Sequence, residues 1–134
     1  MTRTIITFVA SIVTWIVVAS VCNRLLRFGM PGYAVAEPTM AFTLGMMWAR
    51  LGLGAAASLA AGWTAAQFAP TAVRLPVILG AALLLAFIPV HYGLWAKFPI
   101  WYHLVFLGSL IPLTWLGGWL GTQTRTTAEG KSGQ

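Results

Sequence analysis

Long apolar runs separated by short polar stretches are the dominant pattern along this chain. A helix needs about 20 mostly apolar residues to cross the hydrocarbon core of a bilayer. Four segments meet that requirement, and they cover residues 5–22, 38–68, 75–95 and 99–121. No segment alternates between apolar and polar positions, so no strand is predicted. The pattern predicts an all-α membrane domain over residues 1–121, followed by a polar, disordered tail over residues 122–134.

The connections between these segments are short, and neighbouring helices are therefore predicted to run antiparallel. The resulting architecture is an up-down-up-down bundle of four transmembrane helices, with both chain termini on one side. That side carries Arg3, Arg74, Arg125 and Lys131, and the other side carries Arg24, Arg27 and Lys97. Because basic residues are more frequent on the cytoplasmic side of a membrane, both termini are predicted to be cytoplasmic.

The composition supports a membrane protein and excludes other classes. Charged residues make up 7% of the chain and hydrophobic residues 59%, whereas about a quarter of the residues in soluble domains are charged. The net charge of +6 does not indicate nucleic-acid binding, because the basic residues mostly lie outside the apolar segments, where anionic lipid headgroups attract them. The lipid bilayer is the predicted partner. The single cysteine, Cys22, excludes a disulfide within the chain.

Small residues recur at a spacing that favours close helix packing. Gly54, Ser58 and Gly62 follow one another every four residues in the second segment, and Gly117 and Gly121 are four apart in the fourth. This spacing lets helix backbones approach closely inside a membrane. The predicted contacts lie either within one chain or between the chains of a homo-oligomer or a larger membrane complex.

Arg50 lies inside the second segment, one helical turn before Gly54. A charged side chain at the bilayer centre costs about 2.5–3.5 kcal/mol on insertion scales. No other segment contains an acid, and Glu37, about thirteen residues earlier, cannot reach Arg50 along the same helix. One interpretation is that Arg50 extends to the membrane surface or bonds backbone carbonyls. The other is that it binds an anion or a lipid, as a small oligomeric transporter or channel would require.

The sequence HYGLWAKFPIWYH places His91 and His103 at equal distances from Lys97. In a tight hairpin of two helices such residues lie at similar heights, so the two imidazoles are predicted to lie side by side. Together with Glu37 they form a candidate metal site of two histidines and one carboxylate, a ligand set suited to zinc or iron. Two histidines on neighbouring helices could also bind a haem axially.

A simpler interpretation of the same stretch is an aromatic belt at the membrane surface. Tyrosine and tryptophan are enriched at both membrane interfaces, and the belt here consists of Tyr92, Trp95, Trp101 and Tyr102. The histidines then bond carbonyls or water, and Glu37 stabilises the N-terminus of the second helix. This interpretation is the favoured one, and it requires no cofactor.

No catalytic motif is visible in the sequence. The chain lacks a glycine-rich phosphate loop, a dinucleotide fingerprint and a nucleophile beside a histidine with an orienting acid. Two histidines and two acids leave little material for acid–base catalysis. No enzymatic activity is therefore predicted.

Two stretches, RLGLGAAASLAAGW and FPIWYHLVFLGSLIPLTWLGGWLG, carry a resemblance to known proteins. The chain resembles small, uncharacterised four-span inner-membrane proteins of bacteria. The resemblance implies a multi-pass protein of the inner (cytoplasmic) membrane and brings no activity or ligand. The favoured function is a structural or accessory role in that membrane. The alternatives are an anion-attracting transporter or channel with Arg50, and a metal or haem binder at His91 and His103.

Overall fold

The computed structural model describes residues 1–133, and no strand occurs among them. The elements are α1 (Thr2–Gly29), α2 (Tyr33–Ala36), a 3-10 turn (Glu37–Thr39), α3 (Leu44–Phe68), α4 (Leu75–Gly93) and α5 (Ile100–Ser132). Four of the helices, α1, α3, α4 and α5, are long and apolar enough to cross a membrane. The prediction of an all-α chain with four long apolar helices is confirmed.

The second long helix begins six residues later than predicted. Pro38, the first residue of the predicted second segment, lies in the separate 3-10 turn instead. Met40 ends that turn in the left-handed region, with a φ of 57°, so the helical path cannot continue. Thr43 then caps α3, because its side chain accepts a hydrogen bond from the backbone nitrogen of Met46 at 3.4 Å. Residues 38–43 therefore belong to the connection.

Two helices continue beyond their predicted ends. The first was expected to stop at Cys22, but α1 continues to Gly29, since the intervening residues include good helix formers such as leucine and arginine. Residues 122–132 of the tail predicted to be disordered are helical, because α5 continues to Ser132, and Gln134 lies outside the described residues. Inside that extension, the Nε of Arg125 lies 3.0 Å from the Oε1 of Glu129. The two residues are four apart in sequence, a separation at which opposite charges stabilise a helix.

The backbones of α3 and α5 touch directly. A Cβ atom placed on Gly62 would overlap the carbonyl oxygen of Thr114, and one placed on Gly117 would overlap the carbonyl oxygen of Leu59. Further along, a Cβ on Gly54 would come within 2.8 Å of the Phe106 ring. Gly54 and Gly62 of α3 thus face α5 of the same chain.

Helices α3 and α5 also pack closely near the C-terminal end of α3. A Cβ on Gly121 would come within 2.8 Å of the Ala66 side chain. Ser58 faces a different neighbour, since its hydroxyl lies 3.1 Å from the indole nitrogen of Trp15 in α1. Close packing in membranes depends on such small residues, and here they serve contacts inside one chain.

The other two long helices attach on either side of this central pair. Helix α1 packs on α3, where the Thr14 and Thr64 hydroxyls lie 3.3 Å apart. Helix α4 packs on α5, and a Cβ on Gly80 would overlap the hydroxyl of Thr114. The order of packing is therefore α1, α3, α5, α4.

We expect Gly62→Ala to destabilise the protein, because its new methyl group would overlap the Thr114 carbonyl. Overpacking of this kind costs about 1–3 kcal/mol. Gly52→Ala is the matched control, since nothing lies within 4 Å of a Cβ there. Thermal unfolding in a mild detergent should show a lower midpoint for Gly62→Ala alone. Equal midpoints for the two variants would contradict the backbone contact.

Candidate functional site

Arg50 is held at the bundle end where α3 begins. Its Nη1 donates to the Tyr33 hydroxyl at 2.8 Å, and its guanidinium carbon lies 4.7 Å from the centre of the Phe42 ring. Its Nε is buried and has no hydrogen-bond partner among residues 1–133. Both ion pairs in that range involve other arginines, Arg27 and Arg125. The Arg50 charge therefore has no acidic partner in the part of the chain that the structure describes.

A chain of hydrogen bonds connects Arg50 to the end of α1. The Tyr33 hydroxyl donates to Asn23 Oδ1, and Asn23 Nδ2 donates to Glu37 Oε1, each at 2.8 Å. The other carboxylate oxygen of Glu37 lies 3.0 Å from the Nε of Arg27. We call Arg50, Tyr33, Asn23, Glu37 and Arg27 the polar chain. It contains two arginines and one carboxylate, so its formal charge is +1.

Tyr33 is the central member of the polar chain and is fully buried. Burial raises the pKa of its hydroxyl above the ordinary value, while the positive charge of Arg50 acts in the opposite direction. The hydroxyl therefore keeps its proton at neutral pH and can donate it to Asn23. An uncharged Tyr33 leaves the positive charge of Arg50 uncompensated.

Sequence reasoning missed Asn23, Tyr33 and Phe42 as neighbours of Arg50. Asn23 and Arg27 lie one helical turn apart, and residues at that spacing share a helix face. That signal was hidden because the first helix was expected to end at Cys22. Tyr33 and Phe42 lie in the connection between α1 and α3, where no periodic pattern relates them to Arg50.

A cavity of about 290 Å³ lies beside the polar chain. Its polar edge is formed by Asn23, Glu37 and Arg50. Residues of all four long helices line it, and its apolar wall is largely aromatic: Trp15, Phe87, Tyr102 and Phe106. The cavity thus combines one uncompensated positive charge with apolar rings.

His91 and His103 lie side by side where α4 ends and α5 begins. Their Nδ1 atoms are 2.7 Å apart, and the two side chains are 5% and 0% exposed. One ring must donate and the other accept, since a neutral imidazole carries a single N–H. The Nε2 of His103 is buried without a partner among residues 1–133.

Aromatic rings enclose the histidine pair. Trp95 stacks on His103 with ring centres 4.8 Å apart, and Phe106 stacks on His91 at 4.7 Å. Phe106 also lines the cavity beside Arg50. The pair and the cavity are therefore neighbours that share one aromatic wall.

The predicted metal site of His91, His103 and Glu37 is not formed. Within residues 1–133, no three side chains of histidine, cysteine, aspartate or glutamate come together in a way that could hold a metal ion. Glu37 is engaged elsewhere, because Asn23 and Arg27 contact its two carboxylate oxygens. Binding of a metal or a haem by the two histidines alone stays a prediction.

The four residues of the predicted aromatic belt differ in their exposure. Tyr92 and Trp95 are 82% and 50% exposed. Trp101 is partly exposed and stacks on Trp48, with ring centres 5.3 Å apart. Tyr102 departs from the prediction, because it is 4% exposed and lines the cavity. It is a core residue of the bundle.

No family model, curated protein or solved structure matches this chain. Its function must therefore be inferred from the cavity, the polar chain and the histidine pair.

We expect the histidine pair to show strong energetic coupling. His91→Phe should destabilise the protein, because a buried polar group that loses its partner costs about 1–3 kcal/mol. The double variant His91→Phe with His103→Phe should cost less than the sum of the two single variants, by about 0.5–3 kcal/mol.

Thermal or denaturant unfolding in detergent measures these free energies. The control is the double variant of His91→Phe with Gly52→Ala. A Cβ on Gly52 meets nothing within 4 Å, so the free-energy changes of these two substitutions should add. Additive effects for the two histidines would show that they share no hydrogen bond in the folded protein.

Proposed function

We propose that this chain is a multi-pass protein of the bacterial inner membrane and belongs with the small four-span proteins of that membrane. Its four long apolar helices support this proposal. So do its many exposed large apolar side chains, since soluble monomers rarely expose extensive apolar patches. Examples are Val13, Ile16, Val17, Val21, Leu85, Ile88, Leu104 and Val105.

The proposed topology is an antiparallel up-down-up-down bundle with both termini in the cytoplasm. Contacts between α1 and α3 support the antiparallel arrangement. Arg3, near the start of α1, donates to the carbonyl of Phe68 at the end of α3, whereas Trp15, further along α1, bonds Ser58. The distribution of basic residues favours cytoplasmic termini.

Cysteine labelling tests this topology. In a chain with Cys22→Ser, Lys97→Cys should react with a membrane-impermeant maleimide in intact spheroplasts. Thr127→Cys should react only after the membrane is opened, because it would lie on the cytoplasmic side. The reverse pattern would place the termini outside the cytoplasm. Labelling of both cysteines in intact spheroplasts would contradict a membrane crossing by α5.

For its biochemical role, we propose that the protein binds an anionic ligand beside Arg50 and has an accessory rather than an enzymatic role. The observation that supports this most directly is the uncompensated Arg50 charge at the edge of a cavity. A buried charge without a partner is costly, and a bound anion would offset that cost. Arginine is well suited to the task, because its planar fork of donors matches carboxylates and phosphates.

An oligomer remains part of this proposal as a prediction. Gly54 and Gly62 of α3 face α5 of the same chain, so they are not free to form the contact between copies. A homo-oligomer, or a larger membrane complex, would have to use another surface. Blue native electrophoresis of gently extracted membranes addresses the assembly state independently of the ligand.

Thermal stabilisation by a soluble anion tests the binding proposal. The probe is dimethyl phosphate, a singly charged phosphodiester, compared with chloride at equal ionic strength. At ten times its Kd, a ligand of the folded state adds about 1.4 kcal/mol of stability, which should raise the unfolding midpoint of the wild-type protein.

Arg50→Gln should abolish this stabilisation, and Arg50→Lys should weaken it, because lysine keeps the charge but loses the planar fork. Arg24→Gln is the control, since it removes an exposed basic residue of α1 and should leave the effect unchanged. An equal response from Arg50→Gln and the wild type would contradict the proposal.

A further inference from the structure

The size of the cavity limits what can bind beside Arg50. Its volume of about 290 Å³ lies at the small end of ligand pockets, which measure about 300–1,000 Å³. The cavity can therefore hold a polar group with its first few carbon atoms. A larger ligand must leave the rest of its body outside.

The charges at the polar edge select the kind of headgroup. The polar chain has a formal charge of +1, and Glu37 lines the same cavity as Arg50. The Glu37 carboxylate would repel a second negative charge on the ligand, whereas a single charge is matched by Arg50. A phosphodiester or a carboxylate meets this condition.

The position of the cavity indicates where the rest of the ligand would lie. Helices α3 and α5, which are in backbone contact, line one side of the cavity, and α1 and α4 line its other sides. Trp15 of α1 and Phe87 of α4 are in contact, with ring centres 5.0 Å apart. Towards the polar chain, α1 presents the small residues Ala19 and Ser20 to the cavity. Ser20 is exposed, so the cavity reaches the outer surface of α1.

The outer surface around this opening is apolar. Ile16 and Val17, one turn from Ser20, are 54% and 53% exposed. On α4, Val90 is 48% exposed and lies one turn from Phe87. Neither helix presents a charged residue in these turns. In the proposed membrane topology, this opening faces lipid.

We propose that the ligand of the Arg50 cavity is a membrane amphiphile with a singly charged anionic headgroup. Its headgroup contacts Arg50, and its chain passes between α1 and α4 into the bilayer. Arg50 lines the cavity and has no acidic partner among residues 1–133, so its guanidinium charge is available to the headgroup. This inference rests on the proposed anion binding at Arg50 and identifies the source of the anion as the bilayer.

Fluorescence quenching in lipid nanodiscs tests this inference. The probes are two lipids with identical brominated acyl chains, phosphatidylglycerol with one negative charge and phosphatidylcholine with none, each diluted into unlabelled phosphatidylcholine. Trp15 lines the cavity, and the difference between the wild type and Trp15→Phe isolates its signal. Brominated phosphatidylglycerol should quench Trp15 more strongly than brominated phosphatidylcholine does.

Two variants test the Arg50 charge and the opening of the cavity separately. Arg50→Gln should lower the affinity for phosphatidylglycerol about tenfold or more, because charge-assisted hydrogen bonds are among the stronger polar contacts. Ala19→Phe should exclude the lipid by filling the opening, while small soluble dimethyl phosphate still stabilises that variant. Ala56→Phe, an exposed position of α3, and Arg24→Gln are the controls and should behave like the wild type.

The outcomes distinguish the two proposals. Equal quenching of Trp15 by the two lipids, with stabilisation by dimethyl phosphate intact, would overturn the amphiphile and leave anion binding in place. Failure of both probes would overturn anion binding itself. If Trp15→Phe does not fold, native mass spectrometry replaces the fluorescence measurement. Phosphatidylglycerol should then remain on the wild type but not on Arg50→Gln, and equal retention would overturn the inference.

Discussion

The direct backbone contact between α3 and α5 is the constraint on which the rest of the structure depends. No side chain separates Gly62 from Thr114 or Gly117 from Leu59, so these helices lie closer together than larger residues allow. Helix α1 then packs on α3 and helix α4 on α5, and the two meet where Trp15 contacts Phe87. The central contact therefore determines where Arg50, on α3, meets the aromatic residues of α5.

The bundle also holds a charge in an apolar setting. Arg50 is stabilised by the Tyr33 hydroxyl and the face of the Phe42 ring, an arrangement that solvates the guanidinium without neutralising it. The only carboxylate of the polar chain, Glu37, already contacts Arg27. The bundle thus keeps one positive charge at the edge of a cavity whose other walls are apolar.

The hydrophobic pattern was enough to predict four helices, because each apolar segment is long and uninterrupted. The helix ends were harder, since the left-handed Met40 and the helical extension to Gly29 leave no trace in hydropathy. The same limit applies to the site. Tyr92 and Tyr102 have similar neighbours in sequence, yet one is exposed and the other buried. Only the rotation of α4 and α5 about their axes distinguishes them, and hydropathy does not report it.

The hydrogen bonds of the polar chain between Arg50 and Glu37 all run in one donor-to-acceptor direction. Arg50 can only donate, so the proton of Tyr33 must point towards Asn23, and the amide of Asn23 must turn its nitrogen towards Glu37. The orientation of every dipole between the arginine and the carboxylate is therefore imposed from both ends, because the ionised Glu37 can only accept. With an uncharged acceptor in place of Arg50, the Tyr33 proton would have two competing acceptors, while Glu37 would still hold the Asn23 amide in its present orientation. A guanidinium that only donates and a carboxylate that only accepts thus fix the polarity of a connection that joins three helices.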